Sequence, residues 1–169
     1  PKQDALASKV NGQWVKISTQ EYIHQSYAVA SALISLGIKK GDCIATVSNN
    51  RYEWNFLDMG MLMIGAVHVP LYPTISSSDY AYILNDCKAP LIVVSDALLL
   101  NKILAVKEQV PTLKAMYSFE KTEQAKPFSD LLEVGKNYNK ASVDAISEAI
   151  SADTLATLIY TSGTTGVPK

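Results

Sequence analysis

Two rhythms of apolar residues run along the chain. Short continuous runs occur at 43–48 (Cys-Ile-Ala-Thr-Val-Ser), 67–72 (Val-His-Val-Pro-Leu-Tyr), 90–95 (Pro-Leu-Ile-Val-Val-Ser) and 154–160 (Thr-Leu-Ala-Thr-Leu-Ile-Tyr). Runs of this kind, β-branched and without polar alternation, predict strands buried on both faces. Pro70 cannot donate to a ladder, so its strand should bend, end early or lie near an edge. Between the runs, apolar residues recur at helical spacing. Ile23, Tyr27, Ala30, Leu33 and Ile34 follow the capping-box pattern Ser18-x-x-Glu21 and stop at Gly37. Trp54, Leu57, Met61 and Ile64 predict a helix over 51–63 with these side chains inward, Asn49-Asn50 as candidate caps and Gly65 as its stop.

Ser76-Ser77-Ser78-Asp79 opens a helix carrying Tyr80, Ile83 and Leu84, and Asp96 caps another that should reach Gln109. A strand over 113–119, a polar loop over 121–127 and short helices over 128–135 and 142–150 follow. Near the start, Asn11-Gly12 supplies the turn of a hairpin between 5–7 and 14–17. Strands alternating with helices predict an α/β fold: a mostly parallel sheet with helices on both faces, joined by right-handed crossovers. The sheet should contain 44–48, 91–95 and 154–160. Ligands of such sheets bind beyond the carboxyl ends of the strands, which is where 161–169 follows Tyr160.

With 169 residues, 48% hydrophobic and 18% charged, the chain has enough apolar material for one globular domain and is not a disordered tract. Its net charge of −1 offers no basic surface to nucleic acid or to an anionic membrane. Cys43 and Cys87 fit neither a metal-ligand spacing nor a disulfide framework and read as free, buried thiols in a reducing compartment. No signal-peptide or membrane-spanning pattern occurs within residues 1–169.

The stretch with the strongest chemical content is Thr161-Ser162-Gly163-Thr164-Thr165-Gly166-Val167-Pro168-Lys169, placed directly after an apolar run. Glycines let backbone N–H groups approach an anion, hydroxyls donate to its oxygens and an ammonium supplies charge, so the combination suits phosphate. A plain Ser/Thr/Gly surface loop is the alternative. The spacing is not a Walker A loop, because Gly163 and Gly166 are too close and Pro168 precedes Lys169. The dinucleotide fingerprint G-x-G-x-x-G is absent as well.

Residues 158–169 resemble, at every constrained position, the AMP-binding signature of the adenylate-forming superfamily of acyl-CoA synthetases, peptide-synthetase adenylation domains and luciferases. Leu36-Gly37-Ile38-Lys39-Lys40-Gly41-Asp42 is similar to the family's turn before its first core strand, and Pro90-Leu91-Ile92-Val93-Val94 to a core strand. Asn50-Arg51-Tyr52-Glu53-Trp54, and Gly65-Ala66-Val67-His68-Val69-Pro70-Leu71-Tyr72-Pro73-Thr74, resemble segments of the long-chain fatty acid branch.

The resemblance implies an ATP-dependent long-chain fatty acid–CoA ligase. A fatty acid carboxylate displaces pyrophosphate from ATP, and CoA then displaces AMP. It implies Mg²⁺ on the phosphates, and phosphate contacts from Thr161, Ser162, Gly163, Thr164, Thr165, Gly166 and Lys169. It further implies that residues 1–169 are an incomplete N-terminal AMP-binding domain, cut at both ends and not competent alone. The family's adenine pocket, metal-binding glutamate and catalytic lysine motifs lie outside the sequence, so no catalytic residue and no metal ligand is assigned within it. A cytoplasmic protein, with peripheral membrane contact left open, is the matching location. Self-association through an exposed 154–160 region is a further expectation. An adenylating enzyme for an aryl, amino or short-chain acid, and a non-catalytic nucleotide-binding or interaction module, remain the alternatives.

The remaining candidates read as structural. Trp54 is a core or interface aromatic, Arg51 and Glu53 a surface or half-buried pair, His68 a packed histidine and His24 a solvated one. Tyr80 and Tyr82 do not share a helix face and form no aromatic cage.

Overall fold

The computed structural model describes residues 1–10 and 12–161. In chain order the first elements are β1 (Leu6–Val10), β2 (Gln13–Ile17), α1 (Thr19–Ser35), β3 (Cys43–Val47), α2 (Tyr52–Met63), β4 (Val67–Leu71) and α3 (Ser77–Asp86). Then come β5 (Leu91–Val94), α4 (Ala97–Leu104), β6 (Ala115–Ser118), β7 (Lys126–Pro127), α5 (Phe128–Gly135) and α6 (Lys140–Glu148). Strands β1 and β2 form a separate antiparallel hairpin, turned through Gly12 at φ +81°. The other five make one sheet in the order β4-β3-β5-β6-β7, every pairing parallel.

Alternation along the central strands divides the interior in two. Ile44, Leu91, Val93 and Tyr117 face Leu33, Leu57, Met61 and Leu131 from α1, α2 and α5. Ala45, Val47, Val69, Ile92 and Val94 face Tyr80, Leu84, Leu100 and Ile103 from α3 and α4. Helices therefore cover both faces, as the continuous apolar runs require. Each fully buried Leu, Ile or Val contributes about 1.5–3 kcal/mol, so these two layers dominate the stabilisation.

Local choices agree with this frame, with exceptions that have physical causes. Ser76 and Asp79 form a complete capping box on α3, and Asp96 caps α4 through the Leu99 N–H. At α1 only half of the expected box forms. Ser18 accepts from the Glu21 N–H, but the Glu21 carboxylate is taken by Gln25 one turn on. Neither Asn49 nor Asn50 caps α2: its N-cap is Arg51, without a side-chain bond, and the Asn49 N–H is engaged by Ser95 Oγ. Helix α4 ends at Leu104 and not near Gln109, where a short 3₁₀ turn, Lys107–Gln109, takes over. The polar stretch 121–127 ends in the two-residue strand β7, which continues the sheet beyond β6.

The largest departure concerns 154–160. These residues do not join the sheet as a strand buried on both faces; they make a single parallel bridge, Thr157 against His68. Leu155 and Ile159 stay 55% and 62% exposed, so the segment lies on an uncovered edge. Pro70 explains why the ladder stops. The Val67 N–H points inward to the Asp42 carbonyl and the His68 N–H points outward to Ala156, so Pro70, two residues on, also faces outward. Its missing N–H removes the next ladder bond on that edge and costs the β3–β4 pairing nothing.

Candidate functional site

The carboxyl ends of β3 and β4 open into a cleft of about 470 Å³. One wall is polar, from Ser48, Asn49 and Asn50 after β3; the other is apolar, from Trp54 on α2, Pro70 and Leu71 on β4, and Ile159. Thr46 lies at its base. Ile159 belongs to the segment that runs into Thr161, so the cleft adjoins the entry to the proposed phosphate loop. This is the end of a parallel sheet at which ligands bind.

Thr161, the first of the proposed phosphate contacts, is exposed at the end of the described chain. Ser162, Gly163, Thr164, Thr165, Gly166 and Lys169 lie outside the described residues. Thr161 is brought there by the bridge at His68 and by Tyr160, whose hydroxyl donates to the Asp86 carboxylate at the end of α3. Burial first, then Asp86, raises the Tyr160 phenol above its ordinary value, so it stays protonated and able to donate.

Behind the cleft runs a polar chain the sequence did not announce. Asp58 Oδ1 lies 2.7 Å from His68 Nδ1, and His68 Nε2 lies 2.7 Å from Thr46 Oγ1. His68 is 1% exposed and its ring packs against Trp54, centroids 4.9 Å apart. A carboxylate can only accept, which puts a ring proton on Nδ1, and Nε2 shares a second hydrogen bond with the Thr46 hydroxyl. Local structure explains the convergence. Trp54 and Asp58 are one turn apart on α2, and His68 and Thr46 occupy the α2-facing side of neighbouring strands. The readable signal was a histidine inside an apolar strand with an acid four residues after a helical tryptophan.

The other candidates are accounted for by packing. Arg51 makes a two-pronged pair with Glu53, at 2.8 and 3.1 Å, and its guanidinium sits 4.8 Å over Phe119. That ties the start of α2 to the segment after β6, with Nε and Nη2 both engaged by Glu53. Trp54 is half-buried, a wall of the cleft and a stacking partner of His68, and not a core residue. His24 is exposed and meets the Tyr138 hydroxyl at 3.2 Å. Tyr80 is buried, with its hydroxyl donating to the Tyr72 carbonyl, while Tyr82 is exposed. Cys43 and Cys87 are free and half-buried, and burial pushes the Cys87 thiol up to about 11. Among the described residues no group of three or more His, Cys, Asp or Glu side chains could hold a metal ion. Likewise, no described helix is long and apolar enough to cross a membrane.

Residues 1–169, the whole chain, match the family described as AMP-binding enzyme. The chain belongs to that family. It is 35% identical over 98% of its length to the long-chain-fatty-acid–CoA ligase ACSBG2 of Xenopus laevis, and 34% identical over 95% to FadD15, a ligase of the same description from Mycobacterium bovis. It covers 23% and 26% of those proteins, so it spans about a quarter of the length of the curated relatives it matches. Among solved structures, the anthranilate CoA ligase AuaEII superposes with a TM-score of 0.81 over 99% of this chain and 30% of that one, at 22% identity. A Mycobacterium tuberculosis fatty acyl CoA synthetase gives 0.74 over 92% of this chain and 28% of that one, also at 22% identity. These likenesses show that the chain shares the fold of those two proteins.

Proposed function

We propose that this chain is the N-terminal part of an ATP-dependent long-chain fatty acid–CoA ligase and that 161–169 holds the nucleotide's phosphates. The observation that carries this reading is the family match over all 169 residues, together with relatives described as long-chain-fatty-acid–CoA ligases at up to 35% identity. The reaction joins a fatty acid carboxylate to the α-phosphorus of ATP and expels pyrophosphate. The CoA sulfur then attacks the acyl carbon and AMP leaves. The first step brings two anions together, so it needs positive charge and oriented donors. Lys169 would supply the charge, the Thr161, Ser162, Thr164 and Thr165 hydroxyls would donate to phosphate oxygens, and Gly163 and Gly166 would let backbone N–H groups approach.

Mg²⁺ belongs with the phosphates, which commonly bring it with few protein ligands. The described residues offer it no cluster of three or more His, Cys, Asp or Glu side chains. A cytoplasmic location fits this chemistry and the near-neutral charge. Self-association of residues 1–169 on their own through the exposed Leu155 and Ile159 is part of the same proposal; sedimentation of residues 1–169 showing only monomer at every concentration would remove it.

The test of the activity is ATP–pyrophosphate exchange by the full-length protein with a panel of acids. Exchange driven by long-chain fatty acids and not by aryl or amino acids is the expected result. Exchange driven only by the latter would reassign the substrate, and none with any acid would remove the ligase reading.

A further inference from the structure

His68 is where the segment leading to Thr161 meets the sheet. Its N–H donates to the Ala156 carbonyl at 2.9 Å, and its carbonyl accepts from the Leu158 N–H at 2.9 Å and from the Thr157 hydroxyl at 2.8 Å. Pro70 has no N–H to offer the same edge, so the register of 156–158 on the sheet depends on one residue of β4. That residue is clamped by its side chain: Asp58 holds Nδ1 from α2, Thr46 meets Nε2 from β3, and Trp54 packs on the ring. Five hydrogen bonds thus converge on one residue that is 1% exposed.

We propose that His68 is a positioning residue for ATP: its clamped ring fixes the backbone groups that hold 156–158, and through them the place at which Thr161 starts toward the phosphates. This rests on the phosphate-binding reading of 161–169. The requirement is geometric. Donors must come within about 2.7–3.2 Å of phosphate oxygens, while a slip of one residue shifts a strand by about 3.3 Å and turns its side chains to the other face. A wholly apolar strand residue would fill the same volume. It could not be held from both α2 and β3, and it would leave the Asp58 carboxylate and the Thr46 hydroxyl without partners. Thr46 and Ile159 line one cleft, so the clamp and the segment it places also face the same space.

The test uses the full-length protein carrying His68→Leu, which keeps bulk, and His68→Asn, which can still donate to Asp58. Amide hydrogen exchange and steady-state kinetics are measured on both. The Leu variant should exchange the Leu158 amide about tenfold faster while Ile92 and Val93 of β5 keep their protection. Its KM for ATP should rise about tenfold with the KM for fatty acid unchanged, and the Asn variant should recover part of both effects. A Leu variant with wild-type Leu158 exchange and wild-type KM for ATP would overturn the proposal. So would a loss of protection spread evenly to β5, which marks a packing role alone. If His68→Leu does not fold, Thr46→Val removes one clamp without touching β4, and the same readouts decide. Wild-type protein that activates no fatty acid would sink the ligase reading, while the Leu158 comparison would still decide the role of His68.

Discussion

Gly135, the last residue of α5, lies with its α-carbon against the backbone carbonyl of Ala28 in the middle of α1: a Cβ built on Gly135 would stand 1.8 Å from the Ala28 oxygen. The two helices cross backbone to backbone, and no side chain can yield to relieve the contact. Gly135→Ala should therefore destabilise the protein by about 3 kcal/mol or more, as overpacking against fixed atoms does. Gly12→Ala is the control. Its Cβ would meet nothing within 4 Å, and only the positive φ of +81° opposes it, a cost of about 1 kcal/mol. Urea unfolding of the two variants measures the difference.

Arg51 should not tolerate lysine. The guanidinium spans both Glu53 oxygens and covers the Phe119 ring, with the pair's side chains about one-fifth exposed (21% and 19%). An ammonium can reproduce neither the fork nor the stacking, so Arg51→Lys should cost about 1 kcal/mol. Lys16→Ala, which breaks the exposed pair with Asp4, should stay within about 0.5 kcal/mol of wild type. Equal losses in thermal denaturation would contradict this.

Stability should fall in alkali through Cys87. Burial raises its thiol from 9.0 to about 11, so the folded state holds this proton more tightly than the unfolded chain does. The contribution is fully present below 9.0 and is lost as the pH rises toward about 11. Tyr80, raised by burial from 10.0 to about 12, adds a loss that begins above 10.0 and overlaps the first, and the half-buried Cys43, raised by burial and then by Asp42, contributes above 9.0 as well. Cys87→Ala should make the decline that begins above 9.0 shallower without abolishing it. Urea midpoints across the alkaline range give the slopes directly.

In the full-length protein, Lys169→Ala should slow adenylation at least about 100-fold while leaving the KM for fatty acid near wild type, because its charge is assigned to the phosphates. Gly166→Val should be at least as harmful, since a Cβ blocks close backbone approach. Single-turnover pyrophosphate release checks both. Wild-type release from either variant would show that 161–169 does not wrap the phosphates.

Much of the fold was legible because burial on both faces leaves a plain signature. The runs at 43–48, 67–72 and 90–95 became β3, β4 and β5, and Ser76 with Asp79 announced the start of α3. The same reasoning placed 154–160 inside the sheet, and there it failed. Apolar composition says what a segment can bury, while the edge it meets is set by Pro70, a residue far away in sequence. Local rules offer Asn49 and Asn50 as caps, whereas the N-cap of α2 is Arg51, which makes no side-chain capping bond. For the Asp58–His68–Thr46 chain the sequence offers only a histidine in an apolar strand and an acid four residues after Trp54; the β3–β4 register and the pitch of α2 bring the three together.

Acyl-adenylate formation is the step on which the proposed ligase function stands. Full-length protein incubated with ATP, Mg²⁺ and a long-chain fatty acid, with CoA withheld, should accumulate a fatty acyl–AMP anhydride detectable by mass spectrometry and consumed when CoA is added. Absence of the anhydride under those conditions, with ATP left intact, would contradict it.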